Sequence, residues 1–355
     1  MTNSYFSLLE QMHLNAAKDS IPLSGSFELT ERCNLHCKMC YVCSSNSSNL
    51  KKLELCSSTW VDIAKQAIDQ GMLFLTLTGG EIFYRPDFFD IYLPITQLGV
   101  IISLFSNGTL ITEEIALKLA ENSPNRIEIS LYGASQAVYE SITGIPGSYR
   151  SCCSGIELLL KYKLPVSLKT TLTKLNRHEL DDMRRMAKDW DIPFVAGNLV
   201  SLRRDLQESD SDEYRLSPEE CVNMEASDIE SFEYWEEKIE KYNKVIVKNN
   251  LQVFDCYAGK ASFSVNYQGE MNLCTLLPQP SISIPTEGFD RAWKGLKEFI
   301  NKTPSLSPSC SACELAFYCP KCPAWSYTEN RVFGSPVQYL CEIAKLRKEI
   351  FCKGG

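Results

Sequence analysis

The sequence predicts an α/β fold built on an incomplete, TIM-like parallel barrel, a (β/α)6 arrangement, and three observations carry that prediction. Strand-like apolar runs alternate with amphipathic helical stretches from residue 24 to about residue 200. The count of such units stops near six, whereas a closed eight-fold barrel takes about 250 residues, roughly 31 per unit. Clustered cysteines and a Gly-Gly-Glu run fall just past the first two strands, at the strand ends where barrels place their chemistry. Strands alternating with helices imply a parallel sheet with right-handed crossovers.

Taken in order, the strand candidates are 26–30, 73–78, 100–106, 125–132, 164–172 and 194–200, with helical stretches at 58–70, 112–121, 151–163 and 177–191. Ser58 and Thr112 have the residue type and position of helix N-caps. Residues 203–220 carry Asp205, Glu208, Asp210, Asp212 and Glu213 and read as a solvated loop. Residues 229–250, rich in Glu and Lys, read as a surface helix. A hairpin is expected over 261–273, turning at Gln268-Gly269, and a closing helix over 340–351. The expected divisions are an N-terminal extension (1–23), the barrel (24–200), a linking helical region (201–255) and a cysteine-rich C-terminal domain (256–355).

The 355 residues, 44% of them hydrophobic, suffice for one large core and a smaller one. A net charge of -8 argues against general nucleic-acid binding, which needs a basic footprint, and leaves room for a cationic peptide. The first twenty residues hold Glu10, Lys18 and Asp19 and lack the apolar core of a signal peptide. The longest apolar region, 91–105, is broken by Pro94, Thr96, Gln97 and Gly99 and is too short to span a membrane. Sixteen cysteines in a chain with those features point to a reducing cytoplasm and to metal binding more than to disulfides. Only His13, His36 and His178 are available, which weakens histidine acid–base or zinc catalysis, and no general acid or base stands out.

The densest motif is Cys33-Asn-Leu-His-Cys37-Lys-Met-Cys40, a C-x3-C-x2-C run. Iron–sulfur clusters normally take four cysteines, so three grouped thiolates suit a four-iron cluster with one iron left open. Zinc is the competing reading, with Cys43 or His36 as fourth ligand. Gly79-Gly80-Glu81 follows the second strand. Its glycines permit close backbone approach, and its carboxylate can accept from an ammonium group. Far downstream come Cys256, Cys274, Cys310-x2-Cys313-x5-Cys319-x2-Cys322 and Cys341, in a region short of regular elements where metal would act as a staple. Two interleaved zinc sites are the competing reading there.

The cysteine triplet followed by a strand and Gly-Gly-Glu resembles the radical S-adenosylmethionine (SAM) enzymes, over residues 24–200. Met39 stands at the family's apolar position before the third cysteine and Tyr41 at the aromatic position after it. The resemblance implies that Cys33, Cys37 and Cys40 hold a 4Fe-4S cluster whose open iron chelates SAM. Reductive cleavage of SAM would then give a 5′-deoxyadenosyl radical. It also implies SAM contacts from Met39, Tyr41, Gly79, Gly80, Glu81, Ser106, Asn107 and Ser130, with Lys169 and Asn198 as weaker candidates.

The later cysteines resemble the SPASM domain, which holds two auxiliary 4Fe-4S clusters, although only two residues separate Cys319 from Cys322 where three are usual. By that resemblance Cys310, Cys313, Cys319 and Cys341 complete one cluster, and Cys256, Cys274 and Cys322 hold the other. Asn250 stands where some members carry a further cysteine, so that second cluster has an open iron or draws on a distant residue such as Cys221. Cys43, Cys56, Cys152, Cys153 and Cys352 are left as buried free thiols.

The family implies a maturase acting on a ribosomal precursor peptide to leave a cross-link or related oxidation, an auxiliary cluster accepting the second electron or binding substrate. It also implies an external flavodoxin- or ferredoxin-type reductant. About two dozen residues precede the first strand, so leader recognition is expected either from a separate small protein or not to be used. Rival expectations are an anaerobic sulfatase-type maturase, a small-molecule or haem-precursor oxidoreductase, and a non-enzymatic structural-metal or electron-transfer protein.

Overall fold

Six parallel strands lie side by side in chain order: β1 (Ser24–Glu28), β2 (Phe74–Thr78), β3 (Ile101–Ser106), β4 (Arg126–Ser130), β5 (Val166–Thr171) and β6 (Phe194–Gly197). The computed structural model describes residues 2–42, 48–206, 211–244 and 252–352. α1 (Thr2–Asp19) precedes the sheet, and α2 (Ser48–Leu53) and α3 (Ser57–Asp69) join β1 to β2. α4 (Phe88–Thr96) follows β2 and α5 (Glu113–Glu121) follows β3. α6 (Gln136–Thr143) and α7 (Ser148–Lys161) follow β4, and α8 (Leu180–Asp189) follows β5.

The sheet's two faces follow from its period of two. Leu75, Leu77, Ile102, Leu104, Ile127, Ile129 and Leu168 are buried in one core with Trp60, Ile63, Phe88, Ile91, Tyr92, Leu119, Ile156 and Met183 of the flanking helices. Burying each large side chain stabilises the fold by roughly 1.5–3 kcal/mol. The alternate residues, Thr76, Thr78, Ser103, Glu128, Ser130, Lys169 and Thr171, lie on the other face with Phe74, Ile101 and Phe105, so that face is mixed and carries most of the sheet's polar side chains.

Some local expectations need correction. Thr112 caps α5, its hydroxyl accepting from the Ile115 N–H at 3.3 Å, but Ser58 lies inside α3. Cys56, whose backbone is extended, takes the N-cap position there. The helix expected over 151–163 starts earlier and is preceded by α6. That shorter helix is capped by Ser135 and stopped by Gly144 in the left-handed region (φ 71°). Eight residues are too few for the apolar period to show it.

The polar stretch 203–220 is not simply solvated. It leads through α9 (Ser211–Tyr214) into α10 (Pro218–Ser227), whose capping box pairs Ser217 with Glu220. Arg204, Arg215 and Leu216 are buried. Arg204 Nη1 donates to both carboxylate oxygens of Glu28 (2.7 and 2.6 Å), and Nη2 donates to Glu31 (2.5 Å). Arg204, within the run read as solvated, is the partner of Glu28 on the first strand, a pairing that local sequence cannot reveal; Glu208 and Asp210 lie outside the described residues. α11 (Ile229–Lys244) matches the expected surface helix; residues 245–250 of that expectation lie outside the described residues.

The hairpin is present as β7 (Ser262–Val265) and β8 (Glu270–Asn272), with Gly269 at φ 82° in the turn, and β9 (Ile282–Ser283) follows. β7 pairs in parallel with β1, giving one nine-stranded sheet ordered β6-β5-β4-β3-β2-β1-β7-β8-β9. α12 (Ile284–Glu287), α13 (Phe289–Lys302), α14 (Pro308–Ser311), α15 (Pro323–Asn330) and α16 (Gln338–Phe351) complete the chain. Trp293 Nε1 donates to the Ser20 carbonyl (2.9 Å) and the Phe289 N–H to Gln66 (3.0 Å), so α13 is tied to both α1's end and α3. Among the described residues no helix is long and apolar enough to cross a membrane.

Candidate active site

The cysteine loop is fastened on two sides by backbone bonds. On one side the Gly80 N–H donates to Thr30 O (2.7 Å) and the Glu81 N–H to Arg32 O (3.0 Å). On the other the His36 N–H donates to Thr143 O (2.8 Å) and the Lys38 N–H to Ile142 O (3.1 Å). The glycines serve this fastening. A Cβ on Gly79, which sits at φ 143°, would lie 2.3 Å from Thr30 O, and one on Gly80 would lie 2.4 Å from Arg32 O. The close approach expected toward a ligand is therefore also an approach to the cysteine loop itself.

Glu81 is buried, and its carboxylate is engaged by the chain's own donors. Phe83 N–H (3.1 Å) and the Ser106 hydroxyl (2.8 Å) donate to Oε1, and Asn107 N–H (2.7 Å) donates to Oε2. Burial pushes this carboxyl up to about 7 against the pull of those hydrogen bonds. Asn107 then reaches the metal loop, its Nδ2 lying 3.7 Å from Cys33 Sγ and 3.0 Å from Asn34 Oδ1. The turn after β3 is thus braced between Glu81 and the first cysteine.

Burial raises all three thiols, Cys33 to about 12 and Cys37 well above its usual range, with cysteine neighbours adding to both. Cys40 is raised by burial and drawn back by the Val42 backbone and then by Arg204 and Arg203. Three half-buried thiols on one loop fit a cluster, whose irons would take them as thiolates. Met39 packs with Ile142 and Val200. Tyr41 is raised by burial and lies beside Glu28, Arg204 and Thr275, facing the C-terminal half of the chain. Ser130 ends β4 and shares a hydrogen bond with Tyr132, a phenol lying close to Cys37, Cys40 and Cys33.

The weaker candidates are engaged elsewhere. Lys169 lies within β5 and pairs with Glu128 (3.2 Å) over the Phe105 ring (4.5 Å). Asn198 donates to Cys221 O and Glu225, both at 3.2 Å.

The later cysteines fall into two groups. Cys310, Cys313, Cys319, Cys322 and Cys341 all line a largely apolar cavity of about 80 Å³, with Leu315, Val337 and Leu340. Burial raises Cys319 and Cys341, and their cysteine neighbours add to it. Cys274 is pushed up to about 12 by burial, with Cys322 and Cys256 nearby. Thiols gathered in an apolar pocket fit a resident cluster. Cys221 is not placed with the second group: its Sγ lies 3.3 Å from Asn198 O and 3.2 Å from the Tyr339 hydroxyl. Cys56 and Cys352 are exposed, correcting the expectation of burial, while Cys152 is buried and Cys153 half-buried. Cys43 and Asn250 lie outside the described residues.

Sequence reasoning missed Asn34, Tyr132 and Thr109, whose hydroxyl accepts from Asn34 (2.7 Å) and donates to Asn107 Oδ1 (2.6 Å), and also Glu54, which accepts from Arg32 at 2.7 and 2.8 Å and from Thr30. The position of Asn34 directly after Cys33 was the only available signal.

Residues 27–189 match the model of the Radical SAM superfamily. The chain is 28% identical over 335 residues to an AdoMet-dependent heme synthase of Methanosarcina barkeri, covering 88% of this chain and 94% of that protein. It is 27% identical over 265 residues to the antilisterial bacteriocin subtilosin biosynthesis protein AlbA of Bacillus subtilis, 73% of this chain but only 56% of that protein. Among solved structures, anSMEcpe with bound AdoMet aligns over 94% of this chain and 93% of its own, at TM-score 0.69 and 19% identity. Streptococcus suis SuiB bound to S-adenosylmethionine aligns over 96% and 83%, at TM-score 0.66 and 16% identity. These two likenesses are of fold.

Fold and sequence together define a radical SAM domain. In particular, it spans residues 27–189 of this chain, and the C-terminal part continues the same sheet.

Proposed function

We propose that this radical SAM enzyme is a maturase of a ribosomally made peptide. Cys33, Cys37 and Cys40 hold its SAM-binding cluster, and Gly79, Gly80, Glu81, Ser106, Asn107, Ser130, Met39 and Tyr41 form the cradle for SAM. When bound, that cluster supplies the electron that splits SAM to methionine and the 5′-deoxyadenosyl radical, which takes a hydrogen atom from substrate. The chain's own residues position and shield: Glu81 fixes the Ser106–Asn107 turn, and Asn107 and Tyr132 close around the cysteines. Cys310, Cys313, Cys319 and Cys341 hold one auxiliary cluster and Cys256, Cys274 and Cys322 the other. A flavodoxin- or ferredoxin-type protein is the reductant.

The observation that carries this reading is the half-buried cysteine triplet, gathered on one loop at the strand ends of a sheet whose β6 edge is open among the described residues, so that an extended chain could run alongside. The names of relatives support a peptide substrate: subtilosin biosynthesis, sporulation killing factor maturation and PqqA peptide cyclase. SuiB has been solved with its precursor peptide SuiA.

The test is anaerobic reconstitution followed by reduction with SAM, expecting 5′-deoxyadenosine. It is paired with mass spectrometry of a short peptide co-expressed from the same gene neighbourhood, expecting loss of two hydrogens. No 5′-deoxyadenosine together with stoichiometric zinc would overturn it. A second reading, oxidation of a haem precursor, draws on the heme synthase whose likeness spans 94% of that protein. A mass change in an added iron–porphyrin precursor, with none in the peptide, would select it.

A further inference from the structure

The sheet ends at β6, and two ladder bonds show which backbone groups face outward. The Leu168 N–H donates to Pro193 O (2.8 Å) and the Leu172 N–H to Gly197 O (2.7 Å). Backbone groups of successive strand residues point to opposite edges, so residues 193, 195 and 197 face β5. The N–H and C=O of Phe194 and Ala196 therefore point away from the sheet. Among the described residues nothing pairs with them. Val195, Ala196 and Gly197 are exposed, Val195 by 54%. Edge strands are usually blunted by charge, bulges or a covering element. This edge is small, uncharged and open.

The edge lies in a cleft of about 970 Å³ walled by α8, α10, α11 and the Tyr318–Pro320 loop. Its lining holds four cations, Arg184, Lys188, Lys238 and Arg347, against two anions, Glu225 and Asp228. Arg184 pairs with Asp228 (2.5 Å) and Arg347 with Glu225 (2.7 Å). Lys188 and Lys238 have no carboxylate partner among the described residues; Lys238 lies over the Trp235 ring at 4.4 Å. In a chain of net charge -8 this local surplus of two positive charges is not a consequence of composition.

We propose that the cleft takes an extended, acidic segment of the peptide substrate, away from the residue that is modified, as a further strand on β6. Its backbone would bond to Phe194 and Ala196 and its carboxylates would face Lys188 and Lys238, a mode in which main-chain bonds give affinity and side-chain contacts give selectivity. The inference rests on the peptide reading above for the identity of the occupant. A second copy of this chain pairing edge to edge is the alternative that the test must exclude.

The probe is a fluorescein-labelled eight-residue peptide of alternating valine and glutamate, compared with the same peptide carrying lysine for glutamate. Anisotropy is read on the reconstituted full chain without SAM. The glutamate peptide should bind at least tenfold tighter than the lysine peptide, and Lys188→Glu with Lys238→Glu should reverse that order. Ala196→Pro removes only an outward N–H, the one place an edge strand tolerates proline, and should weaken binding about tenfold (~1.4 kcal/mol) with unchanged melting. On the unaltered protein, hydrogen exchange at Phe194 and Ala196 should slow when the peptide is added. Equal affinity for the two peptides, no binding, no slowing at those amides, or a dimer by sedimentation that Ala196→Pro dissolves would each overturn the proposal. Binding is read without turnover, so a protein that never cleaves SAM would sink the maturase reading and leave the edge result standing.

Discussion

Replacing Glu81 with glutamine tests the carboxylate that ties the turn after β2 to the turn after β3. The amide keeps one acceptor oxygen but sets an NH2 against one of the N–H groups of Phe83 or Asn107, each now within 3.1 Å of a carboxylate oxygen. A buried donor left unpaired costs about 1–3 kcal/mol. Burial has the opposite effect on the wild type, because it pushes the Glu81 carboxyl from an ordinary 4.5 up to about 7. Between those values the folded state binds the extra proton. The stabilisation is therefore complete below about pH 4.5 and is lost as pH rises through about 7. At ~1.36 kcal/mol for each tenfold change, that span is worth about 3 kcal/mol. The glutamine variant has no such dependence. Glu81→Gln should cost stability at pH 5, and the gap should move by roughly 2–3 kcal/mol in the variant's favour by pH 8. Urea unfolding of the reduced, iron-free protein under argon at both pH values measures it. An identical gap at pH 5 and pH 8 would refute the reasoning, because it would mean that the three hydrogen bonds outweigh burial and keep the carboxylate ionised throughout.

Four further outcomes are expected. Gly80→Ala places a Cβ 2.4 Å from Arg32 O, should cost about 1–3 kcal/mol by overpacking, and should lower iron uptake at the cysteine loop, read as iron per chain after reconstitution. Arg204→Met leaves Glu28 and Glu31 without their buried partner and should destabilise by about 3–5 kcal/mol in thermal melting, a loss that adding Glu28→Gln reduces. Alanine at Cys33, Cys37 and Cys40 should abolish SAM cleavage, whereas alanine at Cys310 and Cys313 should leave some SAM cleavage and remove peptide modification, both read by chromatography. Exposed Cys56, drawn down to about 7 by hydrogen bonds from Ser58 and Thr59, should react with iodoacetamide ahead of buried Cys152 and Cys221, its rate rising through that pH, as followed by mass spectrometry.

Much of the fold was legible in the sequence because its signals are local. Apolar residues at period two and period 3.6 marked all six barrel strands within a few residues, and unit counting gave an open barrel. The cysteine spacing and Gly79-Gly80-Glu81 carried the site for the same reason, since each lies within one loop. The failures were also physical. α6 is too short for its period to show, and the cap of α3 moved to Cys56 because two serines after it are already helical. The polar run after β6 was misread because the partner that buries Arg204 lies on β1.

By itself, then, the sequence determined the order of strands and helices, the loops that carry the cysteines and the chemistry those thiols suit, since all of these depend on neighbours close in the chain. Only the tertiary structure decided that β7 joins β1, that Glu81 braces Asn107 toward Cys33, that Cys221 turns to Asn198 and Tyr339, and that β6 ends the sheet beside lysines with no carboxylate partner among the described residues. Each of these is a meeting of residues distant in the chain, and which distant groups meet is set by how the helices pack across the sheet.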